Sequence, residues 1–152
     1  MVVRPARIGD LDDLVRFIRE EAREAESVEK MPATLRRGIE AALTDDSKSS
    51  YWVMADAQDA LVGCVSALKE WSDWNAGYYW WIQSLYLVPA CRGQGHIQLL
   101  VDAVSAEMTR QGGLELRLYV HAGNGIAIRA YEKIGFEMSA YKIMVRRQGQ
   151  SA

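Results

Sequence analysis

Only two cysteines occur among 152 residues, Cys64 in an apolar run and Cys91 beside a cluster of glycines. Thiols so few and so differently placed exclude a disulfide framework and a CxxC metal site. Cys64 reads as core and Cys91 as an ordinary loop thiol. No apolar run approaches the ~20 residues that a membrane span needs. The opening MVVRPARIGD lacks the apolar stretch of a secretory signal. Excess charge of one sign is missing too: the formal net charge is −2, so no basic field points to nucleic acid, and any anion site must be local. The expectation is a cytoplasmic protein with no metal, no membrane partner and no nucleic-acid partner.

What is present is the balance of a globular domain, 49% hydrophobic and 25% charged. The length suits one domain over 1–152, with a tail that frays from about 148. VVRPA reads as a short strand. Asp10 then caps a helix whose Leu11, Leu14, Val15 and Ile18 form a buried stripe, while Glu20, Glu21, Glu24, Glu26 and Glu29 make a hydrated face. A second helix begins near Pro32, with Leu35, Ile39 and Leu43 inward. YWVMAD and ALVGCVSALK read as a hairpin, WSDWNAG as turn chemistry, and YYWWIQSLYLVP as a long strand ended by Pro89. After the glycines, Ile97, Leu100, Val101, Val104 and Met108 repeat at helical spacing, and LELRLYV alternates as a strand. A short helix follows, closed by Gly135, and FEMSAYKIMVRR reads as a final strand or hairpin. The order is that of a mixed α/β domain, antiparallel in its first half. The crossover between Tyr78 and Val120 makes its two strands parallel neighbours.

The stretch CRGQGHIQLL carries the first chemical signal. Glycines one residue apart at a strand-to-helix turn expose backbone N–H groups to an anion, although many ordinary turns look the same. A second pattern follows it: Asn124, Ala127, Tyr131 and Gly135-Phe136, spaced N-x2-A-x3-Y-x3-G-F, with positions 124, 127, 131 and 134 on one side of a helix. Together these segments resemble the GNAT superfamily of acetyl-CoA-dependent N-acetyltransferases, over essentially the whole chain. The resemblance implies a mixed central sheet flanked by about four helices, with a splayed parallel strand pair that admits the thioester. It implies that Leu85, Tyr86 and Leu87 offer backbone groups to the pantetheine arm. The N–H groups of Arg92, Gly93, Gln94, Gly95, His96 and Ile97 then wrap the pyrophosphate where the helix dipole favours negative charge. Asn124 touches the cosubstrate's arm, and Tyr131 stands near its sulfur. The family pattern has Gly or Ala where this chain has Ile97, whose side chain must turn inward with the helical stripe to leave its N–H open.

An amine that attacks a thioester needs a base, the tetrahedral oxyanion needs a donor, and the departing thiolate needs an acid. Tyr131 fits the acid, because a phenol of pKa about 10 lies only about 2 kcal/mol from protonating a thiolate of pKa near 8.5. The oxyanion donor is a backbone N–H near Tyr86 or Leu87. Where the polyamine-acetylating branch commonly carries Glu, this chain has Gln83, which orients a water or the substrate instead of taking a proton. Glu70 and Asp73 are the alternative bases, and Trp71 and Trp74 beside them read as an acceptor pocket for a cationic amine or as core and contact surface. His121 fits either a proton relay or an ordinary turn. The expected activity is acetyl transfer from acetyl-CoA to the primary amine of a small, cationic acceptor by direct attack in a ternary complex. The exposed aromatics suit a homodimer. The rival expectation is a non-catalytic acyl-CoA-binding sensor or partner module of the same fold.

Overall fold

The structure is a computed structural model that describes residues 1–149, so 150–152 of the expected frayed tail lie outside the described residues. The chain divides into two compact units, Met1–His121 and a shorter one that starts at Ala122.

The first unit is built on a sheet of order β1-β2-β3-β4-β5. Strand β1 (Val2–Pro5) pairs antiparallel with β2 (Ser50–Ala55) at the edge of the sheet, where Pro5 and its missing N–H are tolerated. Helix α1 (Leu11–Glu26) follows. Asp10 sits at its N-cap, yet the carboxylate makes no cap bond to the helix. It accepts the Arg7 N–H at 2.7 Å and the two arms of the Arg4 guanidinium at 2.8 and 3.0 Å, so the expected cap is instead a clamp from β1 to the helix start. The Arg4 bond holds the Asp10 carboxyl below its usual range.

Leu11, Leu14, Val15 and Phe17 of α1 are buried, with Ile18 partly so. They pack with Ile39 of α2 (Pro32–Thr44) on Val53, Cys64 and Tyr86 of the sheet. Burial of a side chain the size of Phe17 contributes roughly 2–3 kcal/mol, and its stacking on Tyr86 at 5.4 Å adds to this. The neighbours Met54, Val65 and Leu87 point to the other face by strand alternation, where α3 (His96–Arg110) buries Leu100, Val101 and Val104. Strand β3 (Leu61–Ser72) reaches further than its apolar run and carries Glu70 and Trp71 into a long hairpin with β4 (Gly77–Leu87). The crossover through α3 delivers β5 (Glu115–Leu118) parallel to β4, as the sequence predicts.

The second unit contains α4 (Gly125–Lys133), closed at its end by a Schellman pair: the Phe136 N–H bonds the Tyr131 carbonyl at 3.0 Å and the Gly135 N–H bonds Glu132 at 3.1 Å. The expected strand or hairpin over FEMSAYKIMVRR does not form. A strand exists through its ladder, and no described residue after Leu118 joins the sheet. Residues 137–147 are exposed throughout, so the alternation seen in sequence buries no face.

Candidate active site

Strand β4 has two dissimilar halves. From Tyr79 to Ile82 it pairs with β3 on one side and with Glu115–Leu118 of β5 on the other. Then the register with β3 slips, because Ala67 faces Ile82 whereas Ser66 faces Ser84. Gln83 is the extra residue of this β-bulge and is exposed. Beyond it the β5 ladder has ended, and among the described residues Ser84–Leu87 pair with β3 alone. The Val88 N–H bonds Val62 at 2.9 Å, and antiparallel alternation therefore turns the Tyr86 N–H toward β3 and the Leu85 and Leu87 N–H groups toward the gap. Leu85 and Leu87 are thus the residues placed to donate into the gap, and Tyr86 is not.

The glycine stretch lies at the end of this open half. A 3-10 turn over Pro89–Cys91 commits the Cys91 N–H to Val88 and the Arg92 N–H to Pro89 at 3.2 Å. The Arg92 side chain folds back as well: Nε donates to the Leu87 carbonyl at 2.9 Å, and the guanidinium grips both oxygens of Glu24 at 3.0 and 2.8 Å. Arg92 therefore ties the loop to α1, which leaves Gly93 through Ile97 as the candidate cradle. Gly93 and Gly95 have φ of +75° and +80°, a conformation that glycine adopts without cost, and the space over both Cα atoms is open. Gly95 is the N-cap of α3, with no side-chain cap and no acidic residue in the first turn. The first-turn N–H groups lack intrahelical partners by geometry. An anion fits this end of the helix. Ile97 is half-buried, at the head of the stripe that continues in Leu100, Val101 and Val104.

A residue that the sequence assigns to the hydrated face enters the gap. Glu21 of α1 is half-buried, and its Oε1 accepts the Leu85 N–H at 2.9 Å. Burial pushes its pKa up from 4.5 to about 7 against the pull of the Leu85 N–H and the Ser84 hydroxyl, and the charges of Glu24 and Glu26 push the same way. The signal for this was in the spacing. Position 21 lies seven residues after Leu14 and three after Ile18, on the buried stripe itself. Beneath it are Cys64 and Tyr51, both raised above their usual pKa chiefly by burial, and the fully buried Ser66, which accepts the Ser84 N–H at 3.2 Å.

The remaining predicted residues lie elsewhere. Glu70, Trp71, Asp73 and Trp74 stand at the β3–β4 hairpin end, and the six steps from Gly77 to Gln83 span about 20 Å at ~3.3 Å per residue. Trp74 is 86% exposed and Trp71 meets Tyr78 edge-on at 5.1 Å. Glu70 feels the charge of Arg117, whose guanidinium lies 3.6 Å from the Tyr79 ring centroid. His96 is the first residue of α3, half-buried, and His121 follows β5. In the second unit Asn124 caps α4, its side chain accepting the Ala127 N–H at 3.2 Å, and the half-buried Tyr131 meets Phe136 edge-on at 5.7 Å. Among the described residues, no three His, Cys, Asp or Glu side chains group as metal ligands, and no helix is long and apolar enough to cross a membrane.

A parallel strand pair whose ladder ends beside a glycine-rich helix start with no side-chain cap fits the acyltransferase framework that the sequence leads one to expect. The chain belongs to the acetyltransferase (GNAT) family, whose model matches residues 11–136. A possible acetyltransferase from Clostridium difficile 630 is 30% identical, with a TM-score of 0.88 and 96% of each chain covered. An aminoglycoside antibiotic 6'-N-acetyltransferase from Acinetobacter haemolyticus, 13% identical, superposes with a TM-score of 0.83 over 99% of this chain and 100% of its own. A ribosomal-protein-alanine N-acetyltransferase from Brucella melitensis biovar Abortus 2308, 16% identical, does so with 0.77 over 97% and 100%. The last two show the fold alone. A comparison with curated proteins gives no match.

Proposed function

We propose that this protein transfers an acetyl group from acetyl-CoA to the primary amine of a small acceptor by direct attack in a ternary complex. The observation that carries the reading is the open half of β4 continuing into an uncapped, glycine-led helix, within a chain of the acetyltransferase family. The N–H groups from Gly93 to Ile97, in the loop and at the start of α3, receive the pyrophosphate, because they supply donors and a positive dipole end without an intervening side chain. Leu85 and Leu87 extend their hydrogen bonding to the pantetheine arm as an added strand would. One of their N–H groups stabilises the oxyanion as the nitrogen–carbon bond forms. Asn124 contributes from the start of α4, and Tyr131, on a helix fixed at both ends by its own caps, protonates the departing thiolate. Gln83, exposed on the bulge, orients the amine, while Glu70, Asp73, Trp71 and Trp74, at the far end of the hairpin, act on the approach of a cationic acceptor and not on the reacting nitrogen. The exposed aromatic hairpin suits a homodimer, and the cytoplasm is where this chemistry is placed.

A thiol-release assay across polyamines, amino acids, aminoglycosides and peptide N-termini tests the reading. Release that depends on one amine class is expected, and Tyr131→Phe lowers kcat about 100-fold while the KM for acetyl-CoA stays within about 3-fold. Acetyl-CoA binding without release for any amine contradicts the enzyme and leaves a binding module.

A further inference from the structure

We propose that Glu21, held on the Leu85 N–H inside the β4 gap, is the group that receives the acceptor amine's proton. The inference rests on the acetyl-transfer reading above and assigns the base that Gln83 cannot supply. The geometry carries it. Glu21 reaches from α1 across to the C-terminal stretch of β4 that pairs with β3 and has no partner in β5, two residues beyond the bulge. Its Oε1 occupies a backbone donor that points into the gap, the same donor type that a thioester carbonyl requires. Oxygen and carboxylate therefore compete for the Leu85 N–H. When the thioester takes it, the carboxylate is released beside the reacting carbon with its strongest remaining tie gone.

The groups around Glu21 favour proton uptake. Glu24 and Glu26 repel its charge from α1, Cys64 and Tyr51 approach from β3 and β2, and only the Ser84 hydroxyl and Leu85 N–H of β4 stabilise the anion. Among the described residues no cation pairs with it, and Glu24 is itself engaged by Arg92. A carboxyl that titrates near neutrality is matched to a base working at that pH. In the step itself the amine nitrogen bonds to the thioester carbon, and the proton it sheds goes to the Glu21 carboxylate. The carbon–sulfur bond breaks, and the thiolate takes the Tyr131 proton. Exchange with water returns the Glu21 proton to Tyr131, so the sum is amine plus acetyl-CoA to amide plus CoA.

Two measurements on the full chain, wild type and Glu21→Gln, test this. Calorimetry with acetyl-CoA at pH 7.5 in buffers of different ionisation enthalpy is expected to show a fractional proton uptake on binding for the wild type, because loss of the Leu85 N–H raises a carboxyl that stays partly ionised at this pH, and none for the variant. Initial rates from pH 6 to 9 are expected to give a kcat/KM for the amine that rises through an inflection near neutrality. Glu21→Gln removes that limb and lowers kcat at least about 100-fold. Equal proton uptake by the two proteins, or a variant that keeps both limb and rate, overturns the role of Glu21 while leaving acetyl transfer intact. Failure of the wild type to bind acetyl-CoA overturns the underlying reading, and Glu21 with it.

Discussion

The starts of α3 and α4 receive their unpaired N–H groups differently. At α4 the Asn124 side chain accepts the Ala127 N–H, so the helix supplies its own partner. At α3 the N-cap is Gly95, and no side chain fills that role. The same contrast runs along β4, whose first half is flanked by two strands and whose second half has one. Donors met within the protein hold the fold, whereas donors left facing outward are open to a ligand. Glu21 stands on the boundary between these cases, as a protein oxygen lodged on a donor of the open half.

Proline substitution breaks this contrast most strongly. Trp81 lies in the doubly paired half, opposite Leu68 and Arg117. Trp81→Pro is expected to cost about 3 kcal/mol or more and to leave little folded protein in a urea titration. Leu85→Pro removes a donor that no ladder uses. It is expected to cost only about 1–2 kcal/mol in the same titration while acetyl-CoA turnover falls about 100-fold.

The next effect comes from Glu21. Its pKa is raised from 4.5 to about 7 in the fold, so the fold binds the proton more tightly than the unfolded chain. That advantage is complete below the unfolded value and is lost as pH rises through the folded value, which leaves a cost of roughly 3 kcal/mol above neutrality. Glu21→Gln keeps an acceptor for the Leu85 N–H and carries no charge. Urea unfolding at pH 8 is expected to show the variant more stable by roughly 2–3 kcal/mol, with no difference near pH 4. A stability gain that accompanies loss of turnover marks a residue retained for chemistry.

The smallest effect belongs to the loop. Gly95→Ala must adopt φ of +80° with a Cβ that meets nothing within 4 Å, so the cost is conformational, about 1 kcal/mol. Calorimetry is expected to show CoA affinity reduced about 10-fold, because the strained residue shifts the first-turn N–H groups.

Much of this was legible beforehand where a local rule suffices. The α1 stripe, Pro32 opening α2, the glycine loop and the crossover to β5 each follow from spacing or turn chemistry, and each forms as expected. Features that depend on a distant partner were not legible. The bulge at Gln83 is a matter of register between Ser66 and Ser84, which leaves no mark in composition. The strand expected from Phe136 onward has alternation without a ladder. Asp10 looks like a cap and serves instead as a clamp, because Arg4 on β1 captures its carboxylate. Glu21 was hidden by its neighbours, since the acidic composition of REEAREAESVEK outweighed a helical position that points inward. Charge named the face, and geometry placed one member of it in the gap.

The most direct test of the open half of β4 and the uncapped α3 as an acyl-donor site is calorimetric titration of the full chain with CoA at pH 7.5. Saturable binding with one site per chain, weakened by Gly95→Ala, is the predicted result. No detectable binding at millimolar CoA would contradict it.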